Sequence, residues 1–165
     1  MARLSADTGR RAFFSDRNGA GRMMASMLIA HFPDQDLASW RWPHFTPREC
    51  ACRCGGRFCA GAYCHDPDFL DALKALRAAM GRSLVVNSGH RCEGWNAAVG
   101  GAAQSKHRTI AVDMALAGHD RFALLTAAER LGFTGIGLAK TFIHLDRPAG
   151  PARWYYKGSA RSWQI

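Results

Sequence analysis

The first quarter of the chain has no clear apolar pattern, whereas the remainder alternates apolar and polar positions in ways that predict its elements. Asp66-Pro67 is a helix start, and Phe69, Leu70, Leu73, Leu76 and Met80 recur at helical spacing until Gly81, predicting a helix over 67–80. Thr46-Pro47-Arg48-Glu49 reads as a capping box with proline at the first helical position, so a short helix starts there. Another helix is predicted from Asp120 to Leu131, with Phe122, Leu125, Ala128 and Leu131 on one stripe and Gly132 as its stop. Strand character marks 83–87 (SLVVN), 110–114 (IAVDM) and 141–146 (TFIHLD). Helices and strands without regular βαβ alternation predict an α+β domain with a small, largely antiparallel sheet.

Residues 1–45 read as a basic N-terminal extension and 46–165 as the main domain. The extension carries Arg10, Arg11, Arg17 and Arg22 and ends in Trp40, Trp42, His44 and Phe45. Two readings stand for it: a docking arm, or a helix near 22–32 packed on the main domain. At 165 residues, 48% hydrophobic and 21% charged, the chain has material for one packed domain. The 22 Lys and Arg against 13 Asp and Glu give a formal charge of +9, which points to an anionic partner. The longest apolar run, Met23 to Ala30, falls far short of the roughly 18 residues a membrane span needs. His31-Phe32-Pro33 follows it where a secretory signal would have a small-residue cleavage site, so neither a span nor a signal peptide is expected.

Cys50, Cys52, Cys54, Cys59 and Cys64 crowd a loop over 50–64, and Cys92 stands apart. Four thiolates, or some of them with His65, suit a structural zinc; equally, an even count of six suits two or three disulfides. Neither ferredoxin spacing occurs, so an iron–sulfur cluster is not expected. No basic helix with interleaved aromatics accompanies the cluster, so nucleic acid is not an expected partner.

Chemistry concentrates in His107, Asp113 and His144. Asp113 interrupts an apolar strand between Val112 and Met114, and His144 does so between Ile143 and Leu145; both therefore face away from those neighbours. Three nitrogen and oxygen donors with a fourth position left open describe a catalytic zinc site. A His144–Asp113 hydrogen-bonded core pair is the competing reading, since a polar group buried on a strand needs a partner.

In this region the chain resembles the zinc D-Ala-D-Ala carboxypeptidases and related peptidoglycan endopeptidases. That family includes phage endolysins and shares its metal site with lysostaphin-like peptidases and hedgehog domains. Three blocks between Phe45 and Trp154 carry the resemblance. They are Ser88-Gly89-His90-Arg91-Cys92 with Asn96 and 97–101 (AAVGG); Ser105-x-His107 with Ala111-x-Asp113; and 142–146 (FIHLD) followed by Arg153-Trp154. The resemblance implies a hedgehog-like or D-Ala-D-Ala-peptidase-like fold and one catalytic zinc on His107, Asp113 and His144. It also implies that Arg91 binds substrate and stabilises the oxyanion, with Ser105 at the substrate; His90, where relatives often have Tyr or Phe, either touches substrate or is structural.

Two departures stand out. The step from His107 to Asp113 is one residue shorter than in the family, and Thr141 occupies the position where many relatives carry the acidic general base. After residue 90 the carboxylates are Glu93, Asp113, Asp120, Glu129 and Asp146. Asp146 is the first candidate for the base, about 7 Å along the strand from His144, with orientation of that histidine as its other reading. Glu93 is next in line. The implied activity is hydrolysis of D-amino-acid-containing bonds in peptidoglycan stem peptides. Its setting would be the cell wall or periplasm, reached as a phage tail component beside other tail proteins or by release at lysis. The alternative is a zinc-binding wall or tail module without turnover.

Overall fold

The computed structural model describes residues 26–32, 37–148 and 150–164. Its elements run β1 (Met27–Ile29), α1 (Pro47–Cys50), β2 (Tyr63–His65), α2 (Pro67–Met80), β3 (Val86–Ser88), α3 (Glu93–Ala98), β4 (Val112–Ala115), α4 (Arg121–Arg130), β5 (Gly135–Leu138), β6 (Phe142–Asp146) and β7 (Ala152–Tyr155). Single 3-10 turns cover Lys106–Arg108 and Ala160–Trp163. One sheet has the order β3-β4-β6-β5-β7 and is antiparallel at each pairing except β5 with β7. The α+β architecture with a largely antiparallel sheet is therefore the one that forms.

Local signals set the helix ends. Thr46 Oγ1 accepts from the Glu49 amide at 3.3 Å while the Glu49 carboxylate accepts from the Thr46 amide at 2.8 Å, closing the capping box. Asp66 accepts from the Phe69 amide at 2.9 Å to start α2, which stops at Gly81 with φ 65°, a left-handed conformation that costs glycine little. Asp120 caps α4 through the Ala123 amide at 2.8 Å. The buried stripe of α4 is displaced by one position from expectation. Leu124 and Ala128, one turn apart, face inward, and Phe122, Leu125 and Leu131 flank them. With Phe69, Leu70, Leu73 and Leu76 of α2, these residues cover one face of the sheet around Met114, Ile136, Ile143 and Leu145.

The helix expected near 22–32 is not present among the described residues. Met27–Ile29 instead pairs antiparallel with Tyr63–His65, with Leu28 opposite Cys64. Eight apolar residues are too few to hold a helix by themselves, and the chain beyond the Cys-rich loop supplies a strand partner. Arg10, Arg11, Arg17 and Arg22 lie outside the described residues. Packing begins ahead of residue 46: Trp42 and Phe45 are buried in the core, and Trp42 Nε1 donates to Asp71 at 2.8 Å. No helix among the described residues is long and apolar enough to cross a membrane.

Candidate active site

Strands β4 and β6 pair so that Asp113 stands directly opposite His144. Val112, Met114, Ile143 and Leu145 fill the core side, leaving Asp113, His144 and Asp146 on the other face, where they too are buried. His107 comes from the 3-10 turn capped by Ser105, whose Oγ accepts from the His107 amide at 3.3 Å. Asn96 braces the approach to that turn, its Nδ2 donating to the Ala102 carbonyl at 2.9 Å. The shortened loop still closes, with His107 Nε2 3.1 Å from Asp113 Oδ1.

Proton placement decides what these atoms can do. His107 Nδ1 lies 2.7 Å from the Gly89 carbonyl oxygen, which can only accept, so Nδ1 carries the proton and Nε2 turns a lone pair inward. His144 Nε2 likewise donates to Asp146 Oδ2 at 2.9 Å, leaving Nδ1 as the inward atom. That Nδ1 is 3.0 Å from Asp113 Oδ1 and 3.1 Å from His107 Nε2. Three lone pairs thus converge with no proton between them when both rings are neutral. The arrangement repels itself unless a cation occupies its centre. Ligands about 2.0–2.1 Å from one zinc stand roughly 3.3 Å apart in a tetrahedron, so the donor set fits that ion.

The titration behaviour follows from these contacts. Burial alone would raise the Asp113 carboxyl, but the hydrogen bonds and charges of His107 and His144 hold it well below the usual carboxylate range. Burial would lower His144, yet its bonds to Asp113 and Asp146 raise it above the ordinary imidazole value. Both shifts arise from the close pairing of these side chains with one another.

Around the three donors stand residues of two kinds. Arg91 Nη2 donates to Asp113 Oδ2 at 2.8 Å and its Nε to Ser88 Oγ at 3.0 Å, so two of the five donors of the guanidinium hold it in place. Its side chain is 19% exposed. Asp146 does not span a 7 Å gap from His144. It touches the outer nitrogen of that ring and lies behind it, 2% exposed. Gly135 makes this possible, because a Cβ there would overlap the Asp146 carboxylate, and a Cβ at Gly137 would meet the Trp154 indole at 2.7 Å. His90 is buried, its Nδ1 3.1 Å from the Thr109 carbonyl, and burial lowers its pKa; it braces the loop that follows His107. Glu93 is exposed and pairs with Arg108 at 3.0 Å.

Two aromatic residues at the site had no role assigned from sequence. Trp154 of β7 packs on His144 at 5.1 Å between centroids, and Tyr156 follows it, 4.9 Å from Phe142. Burial and the Asp113 charge push the Tyr156 hydroxyl up to about 12, so it stays protonated at neutral pH. The signal for these residues was the G-I-G of β5, where alternate glycines in a strand mark a close neighbour.

The cysteines divide. The sulfurs of Cys52, Cys54, Cys59 and Cys92 all lie within 4.8 Å of one another. Cys50 and Cys64 stand outside that group as buried thiols, Cys50 pushed up to about 12 by burial. His65, weighed as a metal partner for the loop, contacts the Tyr63 hydroxyl at 2.9 Å.

A family model described as Peptidase M15 matches residues 43–146, a span containing the His107, Asp113 and His144 cluster, the four grouped cysteines and Asp146. No curated protein matches the chain.

Proposed function

From the premise that the chain belongs to the Peptidase M15 family, a metallopeptidase family, we propose that it cleaves D-amino-acid-containing peptide bonds of peptidoglycan. The observation that carries this reading is the convergence of His107 Nε2, Asp113 Oδ1 and His144 Nδ1 within 3.1 Å, their other polar atoms being held from outside. His107, Asp113 and His144 would hold the zinc, which when bound would supply a Lewis acid and a nucleophilic water at neutral pH.

The chain's own residues do the rest. Gly89 and Asp146 hold the ring protons of His107 and His144 on the outer nitrogens, so both rings present lone pairs inward. Asp146 is thereby a positioning residue in this reading. Arg91 neutralises the second oxygen of Asp113 and turns its free donors toward a substrate carboxylate or a developing oxyanion, where a rigid guanidinium fork is effective. Ser105 fixes the His107 turn beside the substrate path, and Trp154 and Tyr156 wall the His144 side. The +9 charge favours an anionic wall polymer over a free dipeptide. A setting in the cell wall, reached as a phage tail component or by release at lysis, is part of the same proposal and rests on the resemblance to phage endolysins.

One observation favours the second reading, a zinc-binding wall or tail module without turnover. All the carboxylates after residue 90 have other work: Glu93 pairs with Arg108, Asp120 caps α4, Glu129 pairs with Arg153, Asp113 joins the donor cluster and Asp146 backs His144. Incubating the protein with purified peptidoglycan separates the two. Peptidase activity releases new amino termini in a reaction stopped by a chelator and restored by zinc, whereas a module binds the wall and releases none.

Asp146→Asn gives a sharper expectation. Loss of the carboxylate behind His144 should weaken zinc binding roughly 10 to 100-fold, with turnover recovering in excess zinc. If Asp146 were the general base, zinc affinity would stay intact and turnover would fall about 100 to 10,000-fold at any zinc concentration.

A further inference from the structure

Between α1 and β2 the chain reverses through Gly55 and Gly56, at φ 64° and 83°, a left-handed path that glycine follows without strain. The reversal brings Cys54 Sγ to 3.6 Å from Cys59 Sγ. Cys52 precedes the turn, and Cys92 arrives from the start of α3, where its amide lies 3.4 Å from Cys52 Sγ. Ligands about 2.3 Å from one zinc stand roughly 3.8 Å apart in a tetrahedron, so sulfurs all within 4.8 Å of one another need only a small contraction to hold one ion. Two disulfides would sort four sulfurs into two separate pairs, whereas here each is near the other three. The Cys92 amide on Cys52 Sγ and the Ala62 amide on Cys59 Sγ, at 3.3 Å, are donors suited to spreading thiolate charge.

We propose that Cys52, Cys54, Cys59 and Cys92 form a second metal site, an all-thiolate zinc centre that ties the Cys-rich loop to the segment carrying Arg91. Four thiolates in a compact group, Cys52 and Cys54 buried and Cys59 and Cys92 half-buried, suit zinc, which tolerates soft ligands and takes tetrahedral sulfur coordination without redox chemistry. The tie is visible in the backbone. Gly89 packs so closely on Cys50 that a Cβ would overlap the Cys50 carbonyl, and the His90 amide donates to that carbonyl at 2.7 Å. The Arg91 amide donates to the His107 carbonyl at 2.7 Å, and the next residue, Cys92, enters the sulfur group. Arg57 lies over the Trp95 ring at 5.4 Å, and Phe58 fills the space at Gly94, so the loop also docks on α3. A metal at the sulfurs would therefore anchor the Cys92 end of 89–92, the segment that supplies Arg91 and the carbonyl fixing His107, while the Cys50 backbone, two residues from Cys52, holds the other end. The site stands independently of the peptidase reading.

Metal counting on the full chain tests it. Protein made with zinc and kept reduced should carry two zinc ions per chain. Folded His107→Ala should keep one, and with cobalt in its place should show the strong near-ultraviolet absorption of cobalt–thiolate bonds. The double variant Cys54→Ser, Cys59→Ser should lose that absorption, Cys59→His should retain the ion with weaker absorption, and Cys64→Ala should keep both metals. In Cys59→His, a fold with four ligands preserved guards against loss of metal through simple unfolding. In the double variant, turnover should fall about tenfold while the His107, Asp113 and His144 site stays loaded. The proposal is overturned if folded His107→Ala binds no metal or its cobalt form lacks thiolate absorption. It is equally overturned if the zinc-loaded chain, unfolded with chelator and without reductant, yields fewer than four thiols, because at least one of the four grouped cysteines is then oxidised. Full turnover in the double variant would refute the tie to Arg91.

Discussion

His107→Ala is expected to empty the zinc site formed with Asp113 and His144 and to reduce peptidoglycan cleavage to background. The side chain supplies one of three donors, and its loss leaves two, below the three that a catalytic zinc takes from protein. The fold should survive, because His107 sits in a 3-10 turn over the sheet and makes no part of the apolar core. Removing the ring also leaves Asp113 and His144 able to pair directly once the His144 ring is protonated on both nitrogens, between Asp113 and Asp146. Metal content and cleavage measured on one preparation check the expectation. A variant that still cleaves with a chelator-sensitive rate near the parent's would sink the assignment of His107 as a ligand.

Arg91→Lys should separate binding of the metal from turnover. Lysine retains one positive charge, but a single ammonium cannot reproduce the guanidinium geometry that reaches Asp113 Oδ2 and Ser88 Oγ and still presents donors outward. Zinc should remain bound, because Asp113 and both histidines are unchanged. Turnover should fall about 100 to 1,000-fold, the usual effect of removing a donor aimed at a developing oxyanion. If only KM rises and kcat holds, Arg91 binds the ground state alone; an unchanged kcat/KM would remove it from the site.

Acid should act on the same cluster from another direction. The folded Asp113 carboxyl titrates below its unfolded value, so its contribution to stability is present above the unfolded pKa and is lost as the pH falls through the folded one. His144 has the opposite sign: its raised value contributes below the unfolded pKa and is lost as the pH rises through the folded one. In the metal-free protein the pair is therefore most favourable between those limits. Metal binding displaces the extra proton on His144, so zinc affinity should weaken as the pH falls from neutral, as a titration of zinc affinity against pH would record.

Much of this protein could be read along the chain. Asp66-Pro67 and Gly81 bound α2, the Thr46–Glu49 box starts α1, and the strand alternation at Asp113 and His144 singles out those two side chains. These signals are local: a cap, a left-handed stop or a period of two acts through neighbours a few residues away, so the sequence carries it intact. What only the tertiary structure decided depends on segments far apart. The register of β4 against β6 puts Asp113 opposite His144, and the missing side chain at Gly135 lets Asp146 fold back onto that ring instead of facing substrate. The apolar run at Met27 became a strand because Tyr63–His65 was there to pair with it. Which four of six cysteines meet was set by a glycine reversal at one end and by the docking of α3 at the other. Spacing along the chain cannot express those choices, because each depends on how packing brings distant backbones together, and that is resolved only when the whole core forms.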